Sequence, residues 1–140
     1  MPVDYDNENI FARILRGELP CTKVYENDNV LAFMDIMPRE DGHTLVISKA
    51  PARTLMDITP EALSNLILAT QKIAKAAQIA MQADGITIHQ FNESAGGQVV
   101  PHIHFHVIPR FKGIPLRPHT GEMADMNVLV GFAKRIKAVI

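Results

Sequence analysis

The spacing of apolar positions changes several times along the chain, and each change marks an element. Ile10, Phe11, Ile14 and Leu15 recur at helical spacing behind Asn9, a capping residue, and ahead of Gly17, which predicts a short helix over 10–16. After the turn at Glu18-Leu19-Pro20, residues 23–26 and 30–36 read as two strands joined through Asn27-Asp28-Asn29, a hairpin signal. A loop over 38–42 leads to a third strand, 43–48. Thr59-Pro60-Glu61 then combines a hydroxyl cap, a proline at the first helical position and an acid in the first turn. That helix is predicted to run to Ala83, with Leu63, Leu66, Ile67, Ile73, Ala77 and Ala80 on one side and Asp84-Gly85 as its stop. Strands over 86–91 and 99–108 flank a loop, 92–98, of glycine and small polar residues. Met123, Met126, Leu129, Val130, Ala133 and Ile136 predict a closing helix, interrupted by Gly131. With no repeat and no linker, this order predicts a single α+β domain built on a mostly antiparallel five-stranded sheet, one long helix and a short N-terminal helix.

The last predicted strand carries the candidate chemistry. His102, His104 and His106 alternate with Ile103, Phe105 and Val107, so in an extended chain the imidazoles share one face and the apolar residues the other. An ordinary half-exposed strand would mix Thr, Lys, Glu and Ser on its polar side, whereas this one holds three of the six histidines in the chain. Such a row suits metal binding or nucleophilic and acid–base chemistry. At a rise of about 3.3–3.4 Å per residue the outer Cα atoms stand roughly 13 Å apart, too far for all three rings to reach one zinc at about 2.0–2.1 Å. A two-histidine site would have to recruit His43, His89, Asp35 or Glu93, and no ligand pair stands at a recognisable spacing, so no metal is expected.

Composition narrows the classes further. The chain has 140 residues, 47% of them apolar, enough for one domain with a buried core. A formal net charge of −1 offers no basic footprint for a nucleic-acid polymer, though it leaves room for a single nucleotide. The lone Cys21 cannot form an internal disulfide, and the polar start lacks the regions of a signal peptide, so cytoplasmic residence is expected. Gln71, Lys72, Lys75 and Gln78 break up the longest apolar stretch, so no membrane span is expected either.

His102-Ile103-His104-Phe105-His106-Val107-Ile108 resembles the histidine triad, in which three histidines alternating with apolar residues are followed by two more apolar residues. The resemblance extends over about 8–112, leaving 113–140 as a C-terminal extension. It includes Ile10-Phe11, Phe33-Met34-Asp35-Ile36, Gly42-His43-Thr44-Leu45-Val46-Ile47 and Ala95-Gly96-Gly97-Gln98. It implies a Hint-like fold completed by two-fold dimerisation, no cofactor, and hydrolysis of a nucleoside 5′-phosphoryl group through a nucleotidylated histidine. By position, His104 would be the nucleophile, with His102, His106 and His43 orienting the site and holding phosphoryl oxygens. A neutral imidazole can attack through one nitrogen when the other donates its proton to a fixed acceptor, and neighbouring imidazoles disfavour protonation of all of them at once.

For the substrate, the resemblance implies backbone donors at Gly97 and contacts to phosphate or ribose from Gln98 and Asn92. It further implies a carboxylate at Asp35 for the ribose hydroxyls and an apolar base pocket of Phe11, Ile14, Phe33 and Ile36, four residues that otherwise read as core. His89 and His119 carry no more than a surface or satisfied polar role on this reading.

Departures from the pattern shape the choice of substrate. Val99 stands where many members place a Ser or Thr that assists the leaving group, so a leaving amine that can take a proton itself, as in a purine nucleoside phosphoramidate, is the preferred class. Asn9 and Ala12 occupy the positions of the Cys-x-x-Cys that binds zinc in another branch, and Ile103 replaces the proline of the nucleotidylyltransferases. Two alternatives stay open: a dinucleoside polyphosphate hydrolase, whose branch shares Ile108-Pro109-Arg110, and a nucleotide-binding scaffold with vestigial activity.

Overall fold

The protein is described here by a computed structural model over residues 4–118 and 121–140. Met1–Val3, the beginning of the segment read for a targeting signal, and His119 and Thr120 lie outside the described residues.

Five strands, β1 (Lys23–Glu26), β2 (Val30–Met34), β3 (Thr44–Ser48), β4 (Gly85–His89) and β5 (His104–Arg110), form one antiparallel sheet in the order β1-β2-β3-β5-β4. Helix α1 (Ile10–Leu15) precedes them, α2 (Pro60–Met81) links β3 to β4, and α3 (Met126–Lys137) closes the chain. The α+β expectation holds. Strand alternation divides the apolar residues between two cores. Val30, Ala32, Met34, Val46, Phe105 and Val107 pack under Leu66, Ile73 and Ala77 of α2 and Leu129, Ala133 and Ile136 of α3. Leu31, Phe33, Leu45 and Ile47 face the other way and pack with Phe11 of α1. The C-terminal extension therefore contributes to the main core, while the small core under α1 borders the histidines.

Helix ends follow capping chemistry. The Asn9 side chain accepts from Ala12 N at 2.9 Å, and Thr59 Oγ1 accepts from Ala62 N at 3.2 Å with Pro60 opening α2. α2 stops at Met81, with Gln82 in the left-handed region at φ 53°, and Asp84-Gly85 leads into β4 instead of ending the helix.

Three predicted strands come out differently. β2 stops at Met34, two residues short of the expected end, and β4 stops at His89, leaving Gln90 and Phe91 in the following loop. β5 begins at His104 instead of Val99 and continues to Arg110. The cause lies in the approach to it: Pro101 has no N–H for a ladder, His102 N turns back to Val100 O at 2.9 Å, and Ile103 N is taken by Ala52 O at 2.9 Å. His102 is therefore held just before the strand.

The loop leading to His43 is anchored from two sides. Gly42 has φ 87°, and a Cβ there would lie 2.7 Å from Met81 Cγ and 3.1 Å from Pro109 Cγ, so glycine allows both the turn and the close approach. From the other side, Arg117 N donates to Arg39 O at 2.9 Å and Ala124 N to Ile36 O at 2.8 Å. Among the described residues no helix is long and apolar enough to cross a membrane.

Candidate active site

The fold collects His43, His102, His104 and His106 on the α1 side of the sheet, each of them buried. On β3 and β5, Leu45 pairs with His106 and Ile47 with His104. The ring centroids of His104 and His106 lie 4.9 Å apart, those of His43 and His106 5.2 Å. What each imidazole can do is decided by which nitrogen carries its proton, and the fixed partners settle most of these assignments.

His104 Nδ1 lies 2.6 Å from the carbonyl of His102. A carbonyl only accepts, so Nδ1 carries the hydrogen and Nε2 keeps its lone pair. Burial pushes the His104 pKa down to about 4, with His102 adding to the depression, so the ring is neutral at pH 7. A neutral imidazole with one nitrogen pinned and the other unprotonated can act as a nucleophile. The ring edge of Phe11 packs against it at 4.9 Å, fixing its orientation.

His102 is fully buried, and burial depresses its pKa. Its Nε2 donates to Ser48 O at 2.7 Å, which leaves Nδ1 as an acceptor. His43 is fixed in the same way: the backbone N–H of Arg39 donates to its Nδ1 at 3.0 Å, so Nε2 bears the proton. That N–H faces His106 Nδ1 at 3.0 Å and Asp35 Oδ2 at 3.4 Å. With Nδ1 accepting, His106 carries its own proton on Nε2 and acts as a donor. Sequence spacing alone gave no sign that a backbone amide on the 36–41 loop would set the tautomer of His43.

Asp35 follows the end of β2, is largely buried, and accepts from Met37 N at 2.9 Å through Oδ1. Burial raises its pKa to about 6, the Met37 N–H offsetting only part of the shift. Asp35, His43 and His106 bring ligand atoms within 4.8 Å of one another, a separation that would suit a metal ion. The protonation pattern does not suit one. With Nδ1 committed to the Arg39 N–H, His43 Nε2 is a donor and would have to become imidazolate to ligate. Asn9 and Ala12, where the sequence resemblance would put a zinc-binding cysteine pair, fare no better: Ala12 has no ligand atom, and the Asn9 amide is engaged by Ala12 N, Asp6 O and the Tyr5 hydroxyl.

The remaining expected residues divide. Phe11 and Phe33 are buried and meet edge to face at 5.5 Å, Ile14 packs at the border of the same core, and Ile36 is 43% exposed on the loop beyond β2. Gly97 has φ 98°, and a Cβ there would lie 3.1 Å from the Phe91 ring, which itself meets His106 at 5.5 Å. Gln98 is buried and its amide is satisfied within the protein: Oε1 accepts from Glu93 N at 2.7 Å, and Nε2 donates to Arg53 O and Val100 O. Asn92 Oδ1 accepts from Leu55 N at 2.8 Å, and its Nδ2 donates to Gln90 Oε1. Both amides thus brace the glycine loop. Val99 projects at 85% exposure beside it. His89, given no more than a surface or satisfied polar role from sequence, pairs with His106 across β4 and β5 with ring centroids 6.4 Å apart. A period-2 reading of 87–91 together with the strand order would have found it.

The HIT-domain family model matches residues 16–113. Over 119 residues the chain is 40% identical to an HIT-like protein of Methanocaldococcus jannaschii, an alignment covering 85% of this chain and 92% of that protein. It is 35% identical over 101 residues to the adenosine 5′-monophosphoramidase of Schizosaccharomyces pombe, covering 72% of this chain and 73% of the other. A crystal structure of an HIT-like protein from Bartonella henselae, described as involved in cell-cycle regulation, matches at a TM-score of 0.93 and 51% identity, over 99% of this chain and 100% of that one. The shared sheet and helices and the match across the histidine strand lead to one conclusion: the chain belongs to the HIT-domain family.

Proposed function

We propose that the protein hydrolyses the bond between the α-phosphorus and the leaving group of a purine nucleoside 5′-phosphoramidate, through a nucleotidyl intermediate on His104. The observation that carries this reading is the His104 ring itself, neutral, buried and pinned at Nδ1 by the His102 carbonyl. In the first step the Nε2 lone pair forms a bond to phosphorus while the bond to the leaving nitrogen breaks, and its electron pair departs with the amine. The amine takes up a proton from solvent. In the second step water attacks phosphorus, the P–Nε2 bond breaks, and the proton released by water restores the balance. The product is the nucleoside monophosphate.

The surrounding residues supply binding and charge stabilisation. His106, protonated on Nε2, donates to a phosphoryl oxygen, where negative charge grows in the transition state. The backbone around Gly97 supplies further donors, Asp35 accepts the ribose hydroxyls, and Phe11, Ile14, Phe33 and Ile36 border the base. The monophosphoramidase name of one relative favours an amine leaving group, as does the absence of a hydroxyl at Val99.

With equal concentrations of adenosine 5′-phosphoramidate and diadenosine polyphosphate, kcat/KM for monophosphate release is expected to favour the phosphoramidate by at least about tenfold, a difference of about 1.4 kcal/mol in the barrier. The reverse order would move the dinucleoside polyphosphate reading ahead. Monophosphate binding without turnover of either would favour a binding protein.

The same reading includes a two-fold homodimer. β4 ends the sheet with Ile88 42% exposed, and α2 exposes Ile67 and Leu68. Light scattering on the eluting protein should return twice the 15.5 kDa chain mass, and a monomer at micromolar concentration would remove the dimer from the reading.

A further inference from the structure

Tyr5 lies ahead of α1, ninety-seven positions from the triad in sequence, yet its hydroxyl sits 2.5 Å from His102 Nδ1. The direction of that bond follows from the rest of the ring. His102 Nε2 donates to the Ser48 carbonyl, so Nδ1 of the neutral ring has only a lone pair to offer and the phenol must donate. The phenol oxygen in turn accepts from Asn9 Nδ2 at 3.0 Å, while Asn9 Oδ1 accepts from Ala12 N. Burial raises the pKa of Tyr5, which keeps its proton in place for donation. The two aromatic rings meet edge to face with centroids 5.6 Å apart. Both ring nitrogens of a fully buried histidine are therefore satisfied by fixed partners, one on the β3 backbone and one in the segment ahead of α1.

We infer that Tyr5 is a positioning residue for the nucleophile: it fixes the His102 ring, and through the carbonyl of that same residue it fixes the His104 tautomer. The link is short. His102 has no ladder partner, since β5 begins only at His104, and its backbone is held by the turn to Val100 O and by its own ring. The carbonyl of this residue receives the His104 Nδ1–H at 2.6 Å. Loss of the phenol O–H leaves Nδ1 buried without its donor, so the ring gains reason to turn and to exchange tautomers. Movement of the residue then loosens the bond that keeps His104 Nε2 unprotonated. Tyr5 touches neither the phosphorus nor the leaving group in this scheme.

The inference rests on the proposed hydrolysis for its kinetic consequence, and its structural consequence is read without substrate. The test compares wild type, Tyr5→Phe and Asn9→Asp by kinetics and by ¹⁵N resonances of the histidine rings in the resting protein. Asn9→Asp keeps an oxygen to cap α1 while removing the Nδ2 donor that holds the phenol. Tyr5→Phe is expected to lower kcat about tenfold with the monophosphate Kd within about twofold. In the same variant the His102 Nδ1 resonance should move toward that of an unbonded ring nitrogen, and His104 should show a mixture of tautomers. Asn9→Asp should produce a smaller change in the same directions. Unchanged His102 and His104 resonances in Tyr5→Phe would overturn the inference, whether or not kcat falls, because a loss of activity without them is a general loss of stability. Should the wild type hydrolyse neither substrate, the functional reading falls and the ring resonances still decide the role of Tyr5.

Discussion

Replacement of His104 by alanine or glutamine is expected to reduce monophosphate release from adenosine 5′-phosphoramidate by at least about 10⁴-fold in kcat, about 5.5 kcal/mol of barrier. Monophosphate affinity should stay within a few fold, because the contacts proposed for His106, the glycine loop and Asp35 remain. On the proposed reading His104 contributes the bond-forming lone pair, and neither His102 nor His43 is a ready substitute. His102 Nε2 is tied to Ser48 O and its Nδ1 to Tyr5, while His43 Nδ1 is tied to Arg39 N and its Nε2 carries a proton. Glutamine is the better control for folding, since alanine leaves a cavity against the Phe11 ring. Wild-type protein quenched in alkali during turnover should gain the mass of one nucleotidyl group, and both variants should lack it. Retained turnover in His104→Gln, or an adduct on another residue, would remove His104 as nucleophile. Because burial holds the His104 pKa at about 4 in the ligand-free protein, the acid limb of kcat/KM is expected well below the usual imidazole range.

Asp35→Asn is expected to strengthen the fold and weaken the ligand at the same time. Burial raises the Asp35 pKa from 3.8 to about 6, so between those values the folded chain holds a proton that the unfolded chain has released. Stability from this group is complete below pH 3.8 and is lost as pH rises through about 6. The difference between those two values corresponds to about 3 kcal/mol as an upper figure at pH 7. Asparagine escapes that cost, so the melting temperature at pH 7 should rise by several degrees, and the gain should vanish below about pH 4.

His104 works in the opposite sense over an overlapping range. Its pKa falls from 6.5 to about 4, so its contribution is complete above pH 6.5 and is lost as pH falls toward 4. The two slopes oppose each other between about pH 4 and 6 in the wild type, and Asp35→Asn should expose the acid-side loss caused by His104. For the ligand, a carboxylate accepts from both ribose hydroxyls, whereas asparagine accepts through one oxygen and presents an N–H with the other arm. Charge-assisted bonds of this kind are worth about 1.5–3 kcal/mol, so adenosine monophosphate should bind about 10–100-fold more weakly to the variant. The 2′,3′-dideoxy analogue should bind both proteins alike. Calorimetry that shows the same loss for the dideoxy analogue would take the ribose contact away from Asp35.

Most of the architecture was legible in local pattern. The caps at Asn9 and Thr59, the hairpin at 27–29 and the alternation in 43–48 each express backbone geometry that acts within a few residues. The misplaced boundaries share a cause, since the end of a strand depends on the neighbouring chain. Asp35 and Ile36 lie past the end of β2, where Asp35 N still donates to His43 O but Ile36 O is taken by Ala124 N, and residues 99–103 diverge from β3 because Ile103 N is claimed by Ala52 O. The triad pattern identified His102, His104 and His106, though it represented as one strand face what is a strand pair plus a residue held ahead of it. Gln98 and Asn92 stood out by position, and only the folded loop shows their amides bonded to Glu93, Arg53, Val100, Leu55 and Gln90.

Chain-local information was enough to place three imidazoles together and to give the element types, because side-chain period and capping are set by neighbours in sequence, whereas Asp35 and the glycine loop stood out only through the family resemblance. It was not enough to say which nitrogen of each ring carries the proton. A tautomer is set by the atom opposite the ring, and here two of those atoms are the Ser48 carbonyl and the Arg39 amide, brought to His102 and His43 only when the chain closes on itself.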